Sequence, residues 1–356
     1  MVCIAAFIVL GIIVLCLPVL RIFNKDAANK IWSMFKNATA CVGKRVTFQK
    51  CEVGFKDQVK NSMLKKVVLK HPTWVKPLGV AIEVLSVIII IATIWSLLVG
   101  AKSLTALAAY GTCDIQTPEA CLVGDAEACY AGEAKTAENP IEWTGNWFVE
   151  WGEAFAYLPI KFGTRDAGSY LPGGWPYRDS YDASKSVALD IFDPGCKFCR
   201  ESYANQLGSG FFESHNAALL PYALRDGDEF RFANSDLIVR YIFATRMVPG
   251  VTTDGPRVEW RIIGCLFTEN SPRQIVWQED FNNTLSDVEA REVLNSWLKD
   301  FGYTDNDVVE ITTLVDSDEI REQVNAARDI VENNVHIVKI PTMIIGNQRH
   351  EGVFKP

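Results

Sequence analysis

Two long apolar runs dominate the first hundred residues. From Val2 to Leu20 no position is charged, and from Leu78 to Gly100 the only ionisable residue is Glu83. At about 1.5 Å of rise per helical residue, the first run crosses most of a hydrocarbon core of roughly 30 Å, and the second is longer. Both are predicted to be transmembrane helices, 1–20 and 78–100. A secretory signal places its positive charges before the apolar stretch, whereas here Arg21 and Lys25 follow it, which argues against a cleaved leader. Glu83 lies near the basic end of its run, within reach of headgroups or of Lys76, and is read as tolerated rather than functional.

Beyond Gly100 the pattern changes. Over Ile141 to Ile160, Trp143, Trp147, Trp151 and Phe155 recur every four residues and predict a helix. Its rings either dock at a bilayer interface, form a peptide-binding ridge, or pack onto the following domain, and packing is the preferred reading. Residues 163–180 read as a loop, broken by Gly168, Pro172, Gly173, Gly174 and Pro176. From Ser184 onward a compact α/β domain is expected. Ser186 to Phe192 is a nearly continuous apolar run of the buried-strand type, followed by a helix over 200–207 and a second strand over 216–224. Between Ser235 and Asn333 the pattern is mainly helical. Ser286-Asp-Val-Glu289 is a capping box, and Ile320, Val324, Ala327 and Val331 share one helix face. Strands are expected again at 335–340 and 342–345, before a Gly346-Asn347 turn.

The chain has 356 residues, 49% of them apolar, enough for two domains and unlike a disordered or cysteine-dense miniature protein. Its net charge of −8 conceals an asymmetry. Residues 21–77 carry 13 Lys and Arg against 3 Asp and Glu, and residues 101–356 carry 22 against 39. A basic connection of this length between two spans is expected on the cytoplasmic side, which puts the N-terminus and everything after Gly100 outside the cell membrane. Lys56, Lys60, Lys65, Lys66 and Lys70 read as a solvated face against the lipid bilayer rather than as a nucleic-acid site.

Ten cysteines then divide by compartment. Cys3 and Cys16 belong to the first run, and Cys41 and Cys51 are expected as reduced cytoplasmic thiols. Cys113, Cys121 and Cys129 form a C-x7-C-x7-C series in the extracytoplasmic linker region 101–183. With Cys265 they make four thiols for two structural disulfides, in any of three pairings. An oxidising outer compartment favours such bonds. No histidine lies near the series and the spacing does not suit zinc, so no metal is expected.

The redox chemistry is expected at Cys196 and Cys199. The pair sits where the buried strand turns into a helix, so the first sulfur lies at a helix N-terminus that favours thiolate. A thiolate is both the attacking and the leaving species of disulfide exchange, and Cys199, one turn on, is placed to resolve a mixed disulfide. A static disulfide or half a metal site is the weaker reading of C-x-x-C.

Three features in order, Phe192-Asp-Pro-Gly-Cys-Lys-Phe-Cys199, the long helical segment, and Ile340-Pro-Thr342, resemble the DsbA-type branch of the thioredoxin superfamily over about residues 184–356. The resemblance implies a thioredoxin-like α/β domain with a helical insertion. It also implies a cis Pro341 lining a substrate groove with Ile340, Thr342, Lys197 and Phe198, and a buried acid at Asp190 that exchanges a proton with Cys199. Lys197 departs from the family, where proline is common; a cation there favours the thiolate or is merely solvated. The implied activity is disulfide formation in cysteine-containing unfolded or secreted proteins, laid along Ile340-Pro341 by strand addition. Reduction or isomerisation, or a binding module without turnover, are the alternatives. No organic cofactor is implied, and a quinone-linked membrane oxidase is the implied partner for re-oxidation.

Overall fold

The computed structural model describes residues 75–113, 128–131, 137–248, 250 and 255–355. The first apolar run, the basic loop as far as residue 74, and Cys121 lie outside the described residues. The chain divides into two units, Met1–Leu104 and Thr105–Pro356. The stretch expected as a linker therefore belongs, from residue 105, to the same unit as 184–356.

In the first unit the second apolar run is helical throughout, within α1 (Val75–Tyr110). Val80, Val84, Ile88, Ile91, Ile94 and Leu97 are exposed. Among the described residues no helix is long and apolar enough to cross a membrane; within this run the side chains of 78, 79, 82, 83, 85–87, 89, 90 and 93 are not described.

The second unit opens with the end of α1 and a two-residue strand, β1 (Cys129–Tyr130). Next comes α2 (Pro140–Phe162), capped by the Asn139 side chain, which accepts from the Ile141 and Glu142 amides, with Pro140 opening the helix where no amide donor is needed. The segment expected as a loop contains one 3-10 turn, Ala167–Tyr170. The α/β core is then built by β2 (Ser186–Phe192), α3 (Lys197–Gly208), the short α4 (Phe211–Ser214) and β3 (His215–Pro221). A small hairpin, β4 (Arg225–Asp226) and β5 (Glu229–Phe230), leads into the helical insertion. The insertion comprises α5 (Ser235–Met247), α6 (Val258–Thr268), α7 (Trp277–Asn283), α8 (Asp287–Asp300), α9 (Asp305–Val315) and α10 (Asp318–Asp329). The predicted capping box on α8 is present, Ser286 and Glu289 each satisfying the other's backbone. Ile320, Val324, Ala327 and Val331 are all buried.

The chain closes with β6 (Lys339–Ile340), β7 (Thr342–Ile345) and β8 (Gln348–Glu351). The main sheet has the order β3-β2-β7-β8. β2 is parallel to β3 and antiparallel to β7, and β8 is antiparallel to β7. Being central explains β2's composition: Leu189 to Phe192 are fully buried, so the strand shows an unbroken run and no alternation. With the peptide bond between Ile340 and Pro341 cis, this is a thioredoxin-like α/β arrangement carrying a helical insertion.

Two expectations fail in detail. The strand expected over 335–340 shrinks to its last two residues, and these do not join the main sheet; they pair with β1. His336 adopts a left-handed backbone, which breaks an extended run. The Val335 and His336 carbonyls accept from the Arg349 guanidinium instead of from a strand. On α2 only the middle of the four-residue aromatic series is packed, at Trp147 and, in part, Trp151. Trp143 and Phe155 are exposed, and the buried residues are Trp147, Ala154 and Tyr157. A spacing of four overshoots the helical repeat, so a stripe three steps long drifts off any one face. The packed face meets Ala106, Ala109 and Tyr110 at the end of α1, with Tyr110 stacked on Tyr157 and the Trp151 indole donating to Thr105 Oγ1 at 3.1 Å.

Candidate active site

The buried end of β2 delivers Asp193-Pro194-Gly195 into a tight turn, and Cys196 is the N-cap residue of α3. The turn is held from both sides. Asp193, fully buried, accepts from the Gly195 amide at 2.7 Å, the Ser235 hydroxyl at 2.6 Å and the Leu224 amide at 2.7 Å. Gln278 of α7 donates to the Pro194 and Cys196 carbonyls, both at 2.9 Å. Gly195 is required because a Cβ there would sit 2.3 Å from the Phe232 side chain and 2.6 Å from the Ser235 hydroxyl. Cys199 lies one turn into α3, its amide donating to the Cys196 carbonyl at 3.0 Å, and its side chain is buried. Lys197 is exposed, with its ammonium 4.9 Å from the Phe198 ring centroid.

Pro341 and its neighbours face this turn. The Cys196 sulfur is 3.9 Å from the Ile340 carbonyl oxygen. Thr342 Oγ1 donates to the Lys339 carbonyl at 2.7 Å, and the Gly352 amide to the Pro341 carbonyl at 2.9 Å, which hold the bend between β6 and β7. Cys196 and the 340–342 segment are thus brought together.

Asp190 lies fully buried on β2, opposite Met343 of β7. Burial pushes its carboxyl up to about 7, while Gln206 of α3, donating to Oδ1 at 2.8 Å, partly offsets this. Its Oδ2 and the Gln206 Oε1 have no hydrogen-bond partner among the described residues. Asp193 is raised to about 6, again by burial and against its three donors. The Cys199 thiol is held well above the ordinary cysteine range, first by burial, then by the Asp193 charge and further by Asp190; the Asp193 backbone amide acts the other way. Burial and the two neighbouring carboxylates thus all favour the thiol form of Cys199.

The pairing of the remaining sulfurs departs from expectation. Cys129 is bonded to Cys196, the first residue of the C-x-x-C pair, with Cα atoms 6.7 Å apart. Cys199 and Cys265 are free. Cys265 thus belongs to no structural disulfide. Partly buried on α6, it is raised to about 12 by burial and by Glu269. Cys113 is disulfide-bonded; Cys121 lies outside the described residues.

The residues around Cys129 explain why it reaches Cys196. Cys129 stands opposite Ile340 and Tyr130 opposite Lys339 in the antiparallel β1–β6 pair, and the Ala131 amide donates to the Val338 carbonyl at 3.0 Å. Arg231 donates to the Tyr130 carbonyl at 2.7 Å while its guanidinium is held by Asp226. Sequence reasoning missed Cys129, Asp193, Gln278 and Arg231 as parts of this site. Cys129 carried a signal as a member of the seven-spaced series, and Asp193 stood in the motif leading to the pair without being assigned a role; Gln278 and Arg231 act through contacts with residues 84 and 101 positions away along the chain. His215 is stacked on Phe211, and the His350 ring meets Phe354 edge-on.

No protein-family model matches the chain. No curated protein matches it either. Among solved structures it is similar to the thiol-disulfide exchange protein alpha-DsbA2 from Wolbachia pipientis, at 14% identity and a TM-score of 0.35, covering 57% of this chain and 88% of that one. It is similar to MdbA, a thiol-disulfide oxidoreductase from Corynebacterium matruchotii, at 16% identity and a TM-score of 0.36, covering 55% and 94%. The oxidoreductase DsbA from Xylella fastidiosa is a third, at 14% identity and a TM-score of 0.31, covering 49% and 80%.

Proposed function

We propose that this chain is a thiol-disulfide oxidoreductase that forms disulfides in cysteine-containing proteins outside the cytoplasm, anchored in the membrane by its two apolar runs. One observation carries the reading. Cys196, at a helix N-terminus with the Cys199 thiol one turn on, already holds a disulfide to a strand laid against Ile340, beside Pro341. That is the arrangement of a mixed disulfide between an oxidoreductase and an extended substrate.

The chemistry follows from position. In the dithiol state Cys196 has the free amides of the first turn of α3 ahead of it, which favour its thiolate and make it the sulfur that attacks or leaves. Cys199, buried and protonated, stays inactive until it loses its proton; Asp190, raised to about 7 by burial, is the base for that transfer. Residues 340–342 offer backbone rather than a shaped pocket, so the site accepts unrelated unfolded chains. Re-oxidation requires a membrane oxidant, for which the resemblance implies a quinone-linked oxidase.

The membrane reading rests on the uncharged run 2–20, the run 78–100 and the basic residues between them. The disulfides at Cys113 and Cys129–Cys196 suit the oxidising side. The direction of catalysis is tested by titrating the Cys196–Cys199 couple against glutathione. An oxidase requires a value well above that of thioredoxin, and a potential near about −270 mV would instead assign a reductase.

A further inference from the structure

We propose that Cys129 is a third redox-active cysteine of this site, and that residues 128–131 form a built-in occupant of the substrate edge which must leave before an external protein can be served. The proposal deepens the oxidoreductase reading and rests on it.

A strand pairing and a side-chain grip make the segment an occupant rather than a passing neighbour. Its backbone extends β6, with Cys129 opposite Ile340 and Tyr130 opposite Lys339. The Ala131 amide continues that pairing to the Val338 carbonyl. Arg231 grips the Tyr130 carbonyl from the hairpin side, its own charge fixed by Asp226. The strand edge so covered is the one that an extended substrate would use, and the sulfur so covered is the one that would attack it. Ala128 is buried and Cys129 partly so, so an incoming peptide cannot pair there while the segment stays.

The bond is also chemically poised. Cys199 carries a free thiol three residues from Cys196 on the same helix. Its sulfur, losing its proton, attacks the Cys196 sulfur; the Cys129–Cys196 bond breaks and a Cys196–Cys199 bond forms. Cys129 leaves as a thiolate and takes up one proton, so the step is an isomerisation with no net oxidation or reduction and needs no added oxidant. The reverse step, Cys129 attacking Cys196, restores the covered state. The chain thus alternates between a self-occupied form and an open form carrying the disulfide that it donates, and Cys129 competes with substrate thiols for the same sulfur at the high effective concentration of a tethered group.

The full chain, purified in detergent, is equilibrated at a series of glutathione ratios, quenched with acid, alkylated and mapped for disulfide-linked peptides. Wild type should show Cys129–Cys196 and Cys196–Cys199 as exchanging species, whereas Cys129→Ser shows only the second. Mixed with a reduced, unfolded cysteine-containing protein at the same glutathione ratios, Cys199→Ser should be locked at Cys129–Cys196 and trap little of it, and the double variant Cys129→Ser/Cys199→Ser should trap at least tenfold more. If Cys199→Ser traps as much as the double variant, or if Cys129 is found bonded only to other cysteines in every redox state, the inference is wrong while the oxidoreductase reading stands. If the double variant traps nothing and Cys129→Ser catalyses no thiol-disulfide exchange, the oxidoreductase reading falls and takes this inference with it.

Discussion

Two buried carboxylates stand beneath the cysteine pair, and they answer pH in a defined direction. Asp190 stays protonated in the native chain up to about pH 7, whereas in the unfolded chain it ionises near about pH 4. The native state therefore binds more protons between those values, and its stability falls as pH rises through that window and is level above it. Replacing Asp190 by Asn removes the ionisation, so the variant should gain stability at pH 8, on the order of 4 kcal/mol, and little at pH 4; thermal melts at both values read this out. The same variant lacks the base for Cys199, and its resolution of a preformed mixed disulfide should slow by at least about tenfold in stopped-flow exchange with a model peptide. Gly195 makes the complementary steric prediction. With a Cβ 2.3 Å from Phe232, Gly195→Ala must move a ring or the turn, and should cost about 1–3 kcal/mol in denaturant unfolding. Cys265, raised to about 12, should remain slow to alkylate at pH 8 and contribute a constant background in thiol counts.

At the scale of elements, the site depends on helices that never touch substrate. α7 contributes Gln278, whose amide ties down the Pro194 and Cys196 carbonyls. Gln278→Leu leaves both carbonyls buried without that donor, and a loss of about 1–3 kcal/mol is expected, with a faster, less selective reaction of Cys196 once reduced. α8 shows the opposite sensitivity. Its capping box is exposed, so Ser286→Ala should lower stability by about 1 kcal/mol with exchange rates unchanged. The elements most legible in the sequence were those whose burial has a simple period. β2 reads as a buried strand because it is covered on both faces, and α8 announces its own start by its cap. β6 was misread because Val335 and Ile337 are buried by the end of the helical insertion rather than by sheet pairing, and an apolar residue looks the same in either setting. The aromatic series on α2 was misread for a related reason: a repeat of four identifies a helix but not which side of it is covered.

For the whole molecule, topology is the remaining test. Under the proposed topology, two spans with the basic loop in the cytoplasm, an impermeant thiol reagent applied to intact cells should miss Cys41 and Cys51 until the membrane is opened. After mild reduction, it should reach cysteines of the outer domain; labelling of Cys41 and Cys51 from outside would reverse the orientation. Length, charge partition, the two apolar runs, the C-x-x-C pair at a strand-to-helix turn and Ile340-Pro341 are all local features, and the sequence by itself determined them, because composition, period and short spacing depend only on neighbours along the chain. The partner of Cys196 was decided only by the tertiary structure. Cys129 is 67 positions from it, and what joins them is a two-residue strand pairing with β6, held by Arg231 from a third part of the chain. A disulfide forms where folding brings two sulfurs within bonding geometry, and spacing along the sequence carries no record of that distance.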